Sequence, residues 1–323
     1  MSSPAAPLPD SLQALGHGVY AIDTGFQRPR FDAAYLLVDQ GRAAFVDTGT
    51  RHALPRLLGA LQALGLPLGA VDWVIPTHVH LDHAGGVGPL MQALPNARLL
   101  VHPRGARHMI DPSALYQGAL AVYGQAEMER SYGELVGVDA ERVQTSTDGM
   151  TITLGARTLE LIDTPGHALH HHCVWDPVSR GWFTGDTFGI SYRELDNPAG
   201  EPFVFPASTP VQFQPDALRG SLARLLAREP EVVYLTHYGR LDQVPSLGRQ
   251  FLRMLDDVVA LGRAVRDDPQ RHDALCRGLR ALYLRSAREH GCRLADSAID
   301  EILAIDIELN AQGMAVWLDR EKR

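Results

Sequence analysis

Residues 77–86 read Thr-His-Val-His-Leu-Asp-His-Ala-Gly-Gly, which puts three imidazoles and a carboxylate within six consecutive positions. No packing role directly after the apolar run 71–76 calls for so many polar ligands. Neutral imidazole nitrogen combined with a hard carboxylate oxygen suits zinc, iron or manganese. His78 and His80 are two apart and point the same way from an extended segment, while Asp82 and His83 follow where the chain turns, so this one loop has room to serve two adjacent ions. Ala84, Gly85 and Gly86 then leave space for close backbone approach and open a helix.

Three more polar residues stand at the ends of apolar strands. His167 follows Pro165-Gly166, where glycine permits a sharp turn; Asp186 follows Phe183-Thr184-Gly185; His237 ends the run 232–236. A carboxylate in the setting of Asp186 is costly unless it meets a cation.

The pattern His-x-His-x-Asp-His, preceded by Thr77 and followed by Ala-Gly-Gly, resembles the metallo-β-lactamase superfamily of hydrolases. Four further segments stand in the matching order: Phe45-Val46-Asp47-Thr48-Gly49, Thr164-Pro165-Gly166-His167, Thr184-Gly185-Asp186-Thr187 and Leu235-Thr236-His237. The resemblance covers roughly residues 18–240. It implies an α/β fold, the four-layer αββα sandwich with metals along one edge. It also implies that His78, His80 and His167 hold one metal, that Asp82, His83 and His237 hold a second, and that Asp186 bridges them. Asp47 is then expected to orient an imidazole or the metal loop. Two ions, zinc before iron or manganese, would hold a bridging water as hydroxide, since one metal lowers the water pKa from 15.7 toward about 7. Asp82 and Asp186 are the expected catalytic carboxylates, Asp82 by passing a proton to the leaving group.

The expected activity is therefore hydrolysis of a small ester, thioester or lactone by a binuclear metal centre. The alternative is a di-iron redox or oxygen-binding protein on the same fold, although His80 stands where many of those carry Glu. A β-lactamase is less favoured because that branch generally lacks the bridging carboxylate, a phosphodiesterase is also less favoured, and a nuclease is disfavoured by charge. Glyoxalase II continues its Pro-Gly-His with Thr-x-Gly-His, whereas here Ala168-Leu169-His170-His171 follows, and the run His170–His172 is expected to stay outside the ligand set. Tyr192 and Tyr238 are candidate substrate contacts, a phenol near the metals being able to donate to an oxyanion. His17, His52, His102, His108, His272 and His290 show no pairing at ligand spacing.

The elements that must position these groups follow from periodicity. Strands are expected at 19–22, 33–38 and 43–47, an amphipathic helix at 51–65 with leucines at 54, 57, 58, 61 and 64, then strands at 71–75 and 98–101. Residues 103–138 form a helical insertion carrying Tyr116, Tyr123 and Tyr132, read either as a substrate lid or as aromatics that pack the helices down. Further strands are expected at 150–154, 157–163, 173–176, 180–185 and 232–236, and a helix at 215–228. Helical segments near 245–266, 270–290 and 295–311 close the chain. The expected organisation is a flexible arm at 1–16, a catalytic domain at 17–242 and a helical C-terminal domain at 243–323, a candidate surface for homodimer formation.

At 323 residues the chain has the length of about two domains. A net charge of −8 without any basic tract argues against nucleic acid or an anionic membrane as partner and leaves a small molecule. Three cysteines without a CxxC pair suggest no disulfide framework. With no signal-peptide pattern at the N-terminus, a cytoplasmic location is expected.

Overall fold

The computed structural model describes residues 8–208 and 211–321. The chain divides into two compact units, one running to Asp163 and taking in His172–Gly185, the other made of Thr164–His171 and the chain from Asp186 onward.

In the first unit, β1 (Leu12–Gly16), β2 (Val19–Asp23), β3 (Ala33–Asp39), β4 (Arg42–Val46), β5 (Val71–Ile75), β6 (Arg98–Val101) and β7 (Val143–Thr145) form a seven-stranded sheet in that order. β1 to β4 pair antiparallel and β4 to β7 parallel. The change comes where helices take over the connections, because a parallel neighbour needs a crossover long enough to return the chain. Helix α1 (Leu54–Ala63) joins β4 to β5, and the short α2 (Leu81–Ala84) with α3 (Val87–Ala93) joins β5 to β6. From β6 to β7 run α4 (Pro103–Ile110), α5 (Ser113–Tyr123), α6 (Gln125–Glu127) and a wide turn at Met128–Tyr132. Four more strands, β8 (Met150–Leu154), β9 (Arg157–Asp163), β10 (His172–Asp176) and β11 (Gly181–Gly185), pair antiparallel in sequence order.

Strand alternation sorts the core. Ala34, Leu36, Ala43 and Phe45 point to the face covered by Leu57 and Leu61 of α1 and by Val87, Leu90 and Met91 of α3. Their neighbours point the other way, where the Tyr35 ring meets Phe183 of β11 edge-on at 5.2 Å. With both faces covered, β3 and β4 read as unbroken apolar runs. Each buried leucine contributes about 1.5–3 kcal/mol.

The second unit carries α7 (Pro215–Leu226), the hairpin β12 (Val232–Leu235) and β13 (Gly239–Leu241), and three long helices, α8 (Val244–Ala264), α9 (Arg271–His290) and α10 (Asp296–Glu321). Among the described residues no helix is long and apolar enough to cross a membrane.

Three expectations need correction. The arm expected at 1–16 contains β1, whose Leu12 and Leu15 are buried against the sheet; residues 1–7 lie outside the described part. β7 and β13 were not expected as strands, since three residues are too few to display a period and only the ladder defines them. The last helix continues well past 311, because Met314, Trp317 and Leu318 keep an apolar stripe buried to its end. The C-terminal helices begin at Val244, beside the expected boundary, while the compact unit that holds them reaches back to Asp186 and includes 164–171.

Candidate metal centre

In the first unit the ligand loop leaves β5 and turns into α2. His78 and His83 are fully buried, His80 is half-buried, and the three rings cluster: His78 Nε2 lies 2.9 Å from His80 Nδ1, and the His78 and His83 ring centres are 4.0 Å apart. Asp82 Oδ2 is 3.8 Å from His83 Nε2. Four donors thus meet on one turn of chain.

Asp47, at the end of β4, fixes that loop. Its Oδ1 accepts from the backbone N–H of Thr77 at 2.7 Å, and its Oδ2 accepts from His83 Nδ1 at 2.9 Å. The second bond commits Nδ1 of His83 as a donor and leaves Nε2 as the nitrogen that can bind a metal. Asp47 adopts a left-handed backbone conformation (φ 56°), which Asp tolerates better than most side chains. The next residue adds a clamp, with Thr48 N donating to the His83 carbonyl at 2.8 Å. Gly86 permits this approach, since a Cβ there would stand 2.9 Å from Thr50 O.

His172, in β10, holds the same loop from the other sheet of this unit. Its backbone N–H donates to Thr77 O at 2.9 Å, its Nε2 donates to Pro76 O at 3.0 Å, and Ser146 Oγ lies 2.8 Å from its Nδ1. Burial, and then the nearby His102, push its pKa down to about 4, so the ring stays neutral at physiological pH.

In the second unit the donors are His167, Asp186 and His237, all buried. His167 Nε2 stands 3.5 Å from Asp186 Oδ2, and His237 Nε2 stands 3.8 Å from Asp186 Oδ1, so each carboxylate oxygen faces one imidazole. His167 Nδ1 donates to Ala207 O at 3.1 Å, again reserving Nε2. Gly166 makes the turn possible, because at φ 139° a Cβ would lie 2.3 Å from the backbone of Leu218 in α7. His171 positions the carboxylate: its Nε2 accepts from Asp186 N at 3.3 Å, and its Nδ1 lies 2.8 Å from Thr164 Oγ1 and 3.2 Å from Thr187 Oγ1.

Among the described residues, these His and Asp side chains form groups able to hold metal ions. Imidazole and carboxylate donors without a thiolate fit zinc, iron or manganese. Residues 28–237, which include every one of these donors, match the family model of the metallo-beta-lactamase superfamily. The chain belongs to the metallo-β-lactamase superfamily. Its fold is accordingly the αββα architecture, extended by a helical C-terminal region.

Within the superfamily, the chain is 25% identical over 243 residues to the metallo-beta-lactamase fold-containing protein ST1585 of Sulfurisphaera tokodaii, covering 74% of this chain and 84% of that one. The crystal structure of ST1585 superposes with a TM-score of 0.65 at 23% identity, over 93% of this chain and 98% of that one. An atrochrysone carboxyl ACP thioesterase of Aspergillus fumigatus is 27% identical over 179 residues, 55% of this chain and 42% of the relative. A hydroxyacylglutathione hydrolase of Salmonella typhi is 30% identical over 163 residues, 49% of each chain. The match therefore spans half or less of these two enzymes.

Several side chains near the superfamily motifs do other work than their position in the sequence suggests. Tyr192 is fully buried and its hydroxyl donates to Asp306 Oδ1 at 3.1 Å, which ties it to α10. Tyr238 is buried beside His237. The phenols that feel the charge of Asp82 are instead Tyr123 and Tyr132 of the insertion, whose rings lie 5.2 Å apart. Burial first and Asp82 second raise the Tyr123 hydroxyl to about 12, and burial, then Tyr123 and Asp82, raise that of Tyr132. Both phenols therefore keep their protons, and the two hydroxyls are hydrogen-bonded to each other. Their presence in a tyrosine-bearing insertion was visible in the sequence, but their nearness to Asp82 was not. His171 and His172 are likewise buried positioning residues; the missing signal was which strand face each would take.

Proposed function

We propose that this protein is a binuclear metal-dependent hydrolase of small esters, thioesters or lactones. In this reading His78, His80 and His167 hold one ion, Asp82, His83 and His237 hold the other, and Asp186 serves both. The observation that carries the proposal is the pair of imidazole nitrogens set against the two oxygens of buried Asp186, 3.5 and 3.8 Å away, in a chain whose other cluster is the His-x-His-x-Asp-His loop. When bound, such a pair of divalent ions generates a nucleophile from water at neutral pH and polarises the carbonyl under attack. The chain's own residues do the rest. Asp47 holds His83 in one tautomer, His171 holds the backbone of Asp186, Asp82 carries a proton to the leaving group, and Tyr123 offers a neutral donor to an oxyanion. The relatives that are a thioesterase and a hydroxyacylglutathione hydrolase support acyl transfer to water as the reaction class.

The test is a hydrolysis screen over thioesters, lactones, phosphodiesters and β-lactams with metal-replete protein, alongside metal analysis and an optical spectrum. A colourless zinc protein that cleaves thioesters or lactones, and loses at least 100-fold in kcat on Asp186→Asn or His83→Ala, is expected. Activity surviving His83→Ala overturns the mechanism, and an iron charge-transfer band with no hydrolysis replaces it with a redox function.

A further inference from the structure

His272 and Cys276 are one turn apart on α9, so their side chains share a face of that helix. The two helices α9 and α10 form an antiparallel hairpin across the tight turn at Gly291, with ion pairs from Arg288 to Asp296 and from Arg271 to Asp319 fixing the register. That register sets Glu308 of α10 opposite the His–Cys pair. His272 Nε2 lies 3.3 Å from Glu308 Oε2, Cys276 Sγ lies 3.6 Å from His272 Nε2, and Cys276 Sγ lies 3.7 Å from Glu308 Oε2.

These three separations match one face of a coordination tetrahedron. Zinc bonds of about 2.3 Å to sulfur, about 2.0–2.1 Å to imidazole nitrogen and about 2.0–2.2 Å to carboxylate oxygen, at the tetrahedral angle, put the ligand atoms about 3.4–3.6 Å apart. The carboxylate is held beside the pair: its Oε1 accepts from Gln312 Nε2 at 2.8 Å and lies 3.2 Å from His272 Nε2, while its Oε2 lies against both the sulfur and the imidazole. His272 and Glu308 are exposed and Cys276 is half-buried, so an ion can enter from solvent and keep water in the fourth position. We propose that His272, Cys276 and Glu308 form a surface site for a zinc-class divalent cation that staples α9 to α10, separate from the His/Asp clusters. The sequence reading that left His272 without a partner is corrected here: its partners are a cysteine one turn along and a glutamate from the next helix. Each thiolate, imidazole and carboxylate supplies one donor atom, and binding releases the thiol proton to water.

Cobalt(II) titration of the metal-free full-length protein tests this, because thiolate coordination gives a sulfur-to-cobalt charge-transfer band that nitrogen and oxygen donors do not. The wild type is expected to show that band and zinc to bleach it. Cys276→Ser and Glu308→Gln should abolish or weaken the band by more than tenfold at fixed cobalt, with helix content by circular dichroism unchanged. His83→Ala should leave the band intact, which separates this site from the proposed hydrolytic one. Competition with a chromogenic chelator should count one zinc fewer in Cys276→Ser than in the wild type. The absence of a thiolate band in the wild type, or its persistence in Cys276→Ser, overturns the proposal.

Discussion

At the scale of single residues, the clusters depend on partners that bind no metal. Asp47 spends one carboxylate oxygen on the Thr77 backbone and the other on His83 Nδ1, so it sets both the path of the loop and the tautomer of the ring. Asp47→Ala should lower metal affinity about 10–100-fold, the usual cost of losing such a support, as measured by chelator competition. His172 behaves differently because it titrates. The unfolded chain takes up its proton near pH 6.5, while the folded chain resists until about pH 4. Below pH 6.5 the unfolded state therefore binds more protons, and stability falls as pH drops across that window and levels off beneath it. At about 1.4 kcal/mol for each pH unit of difference, the loss approaches about 3 kcal/mol. In urea unfolding, His172→Gln should show a shallower decline between pH 6.5 and 4 than the wild type; equal slopes would remove His172 from the account.

At the scale of elements, one glycine decides where His167 can stand. Gly166 combines a φ of 139° with the backbone of Leu218 pressed against it, so the turn that aims His167 rests on the absence of a Cβ. Gly166→Ala should destabilise the protein by about 2–5 kcal/mol from backbone strain and overpacking, read as a drop in the urea midpoint. The helices of the second unit are tied by their own buried polar group: Asn310 of α10 donates to Tyr283 of α9 at 3.0 Å and accepts from Ser208 N at 2.7 Å. Asn310→Leu should strand the Ser208 amide and cost about 1–3 kcal/mol, without any loss of metal from the His/Asp clusters by elemental analysis.

At the scale of the whole molecule, bound metal and folding are linked. An ion that binds only the folded chain adds RT ln(1 + [M]/Kd), about 2.7 kcal/mol at 100 times Kd. Removing metal with a chelator should lower Tm by several degrees, and restoring zinc should recover it; a chain deleted of the His78 and His83 imidazoles should show a smaller shift. Charge acts at the same scale. With a net charge of −8, the protein should show no salt-sensitive retention on immobilised DNA.

The candidate ligands stood out in the sequence because a metal needs particular side chains at particular spacings, and His78, His80, Asp82 and His83 fall within six consecutive positions. The strands β3 and β4 were legible for the same local reason, since each is a short apolar run bounded by turn residues, whereas the two-sheet sandwich followed from the family resemblance. What the sequence left open were relations between distant segments. Whether Tyr192 or Tyr123 would stand near Asp82 depended on which helix covered which strand end, and the structure sends Tyr192 to Asp306 and brings Tyr123 and Tyr132 within reach of the Asp82 charge. The faces taken by His171 and His172, one holding Asp186 and the other Pro76, turned on strand register. The trio His272, Cys276 and Glu308 exists only because a helical hairpin folds residue 308 back against residue 272. Local chemistry writes itself into local order; neighbours across a fold are chosen by the packing of elements that no short stretch of chain contains.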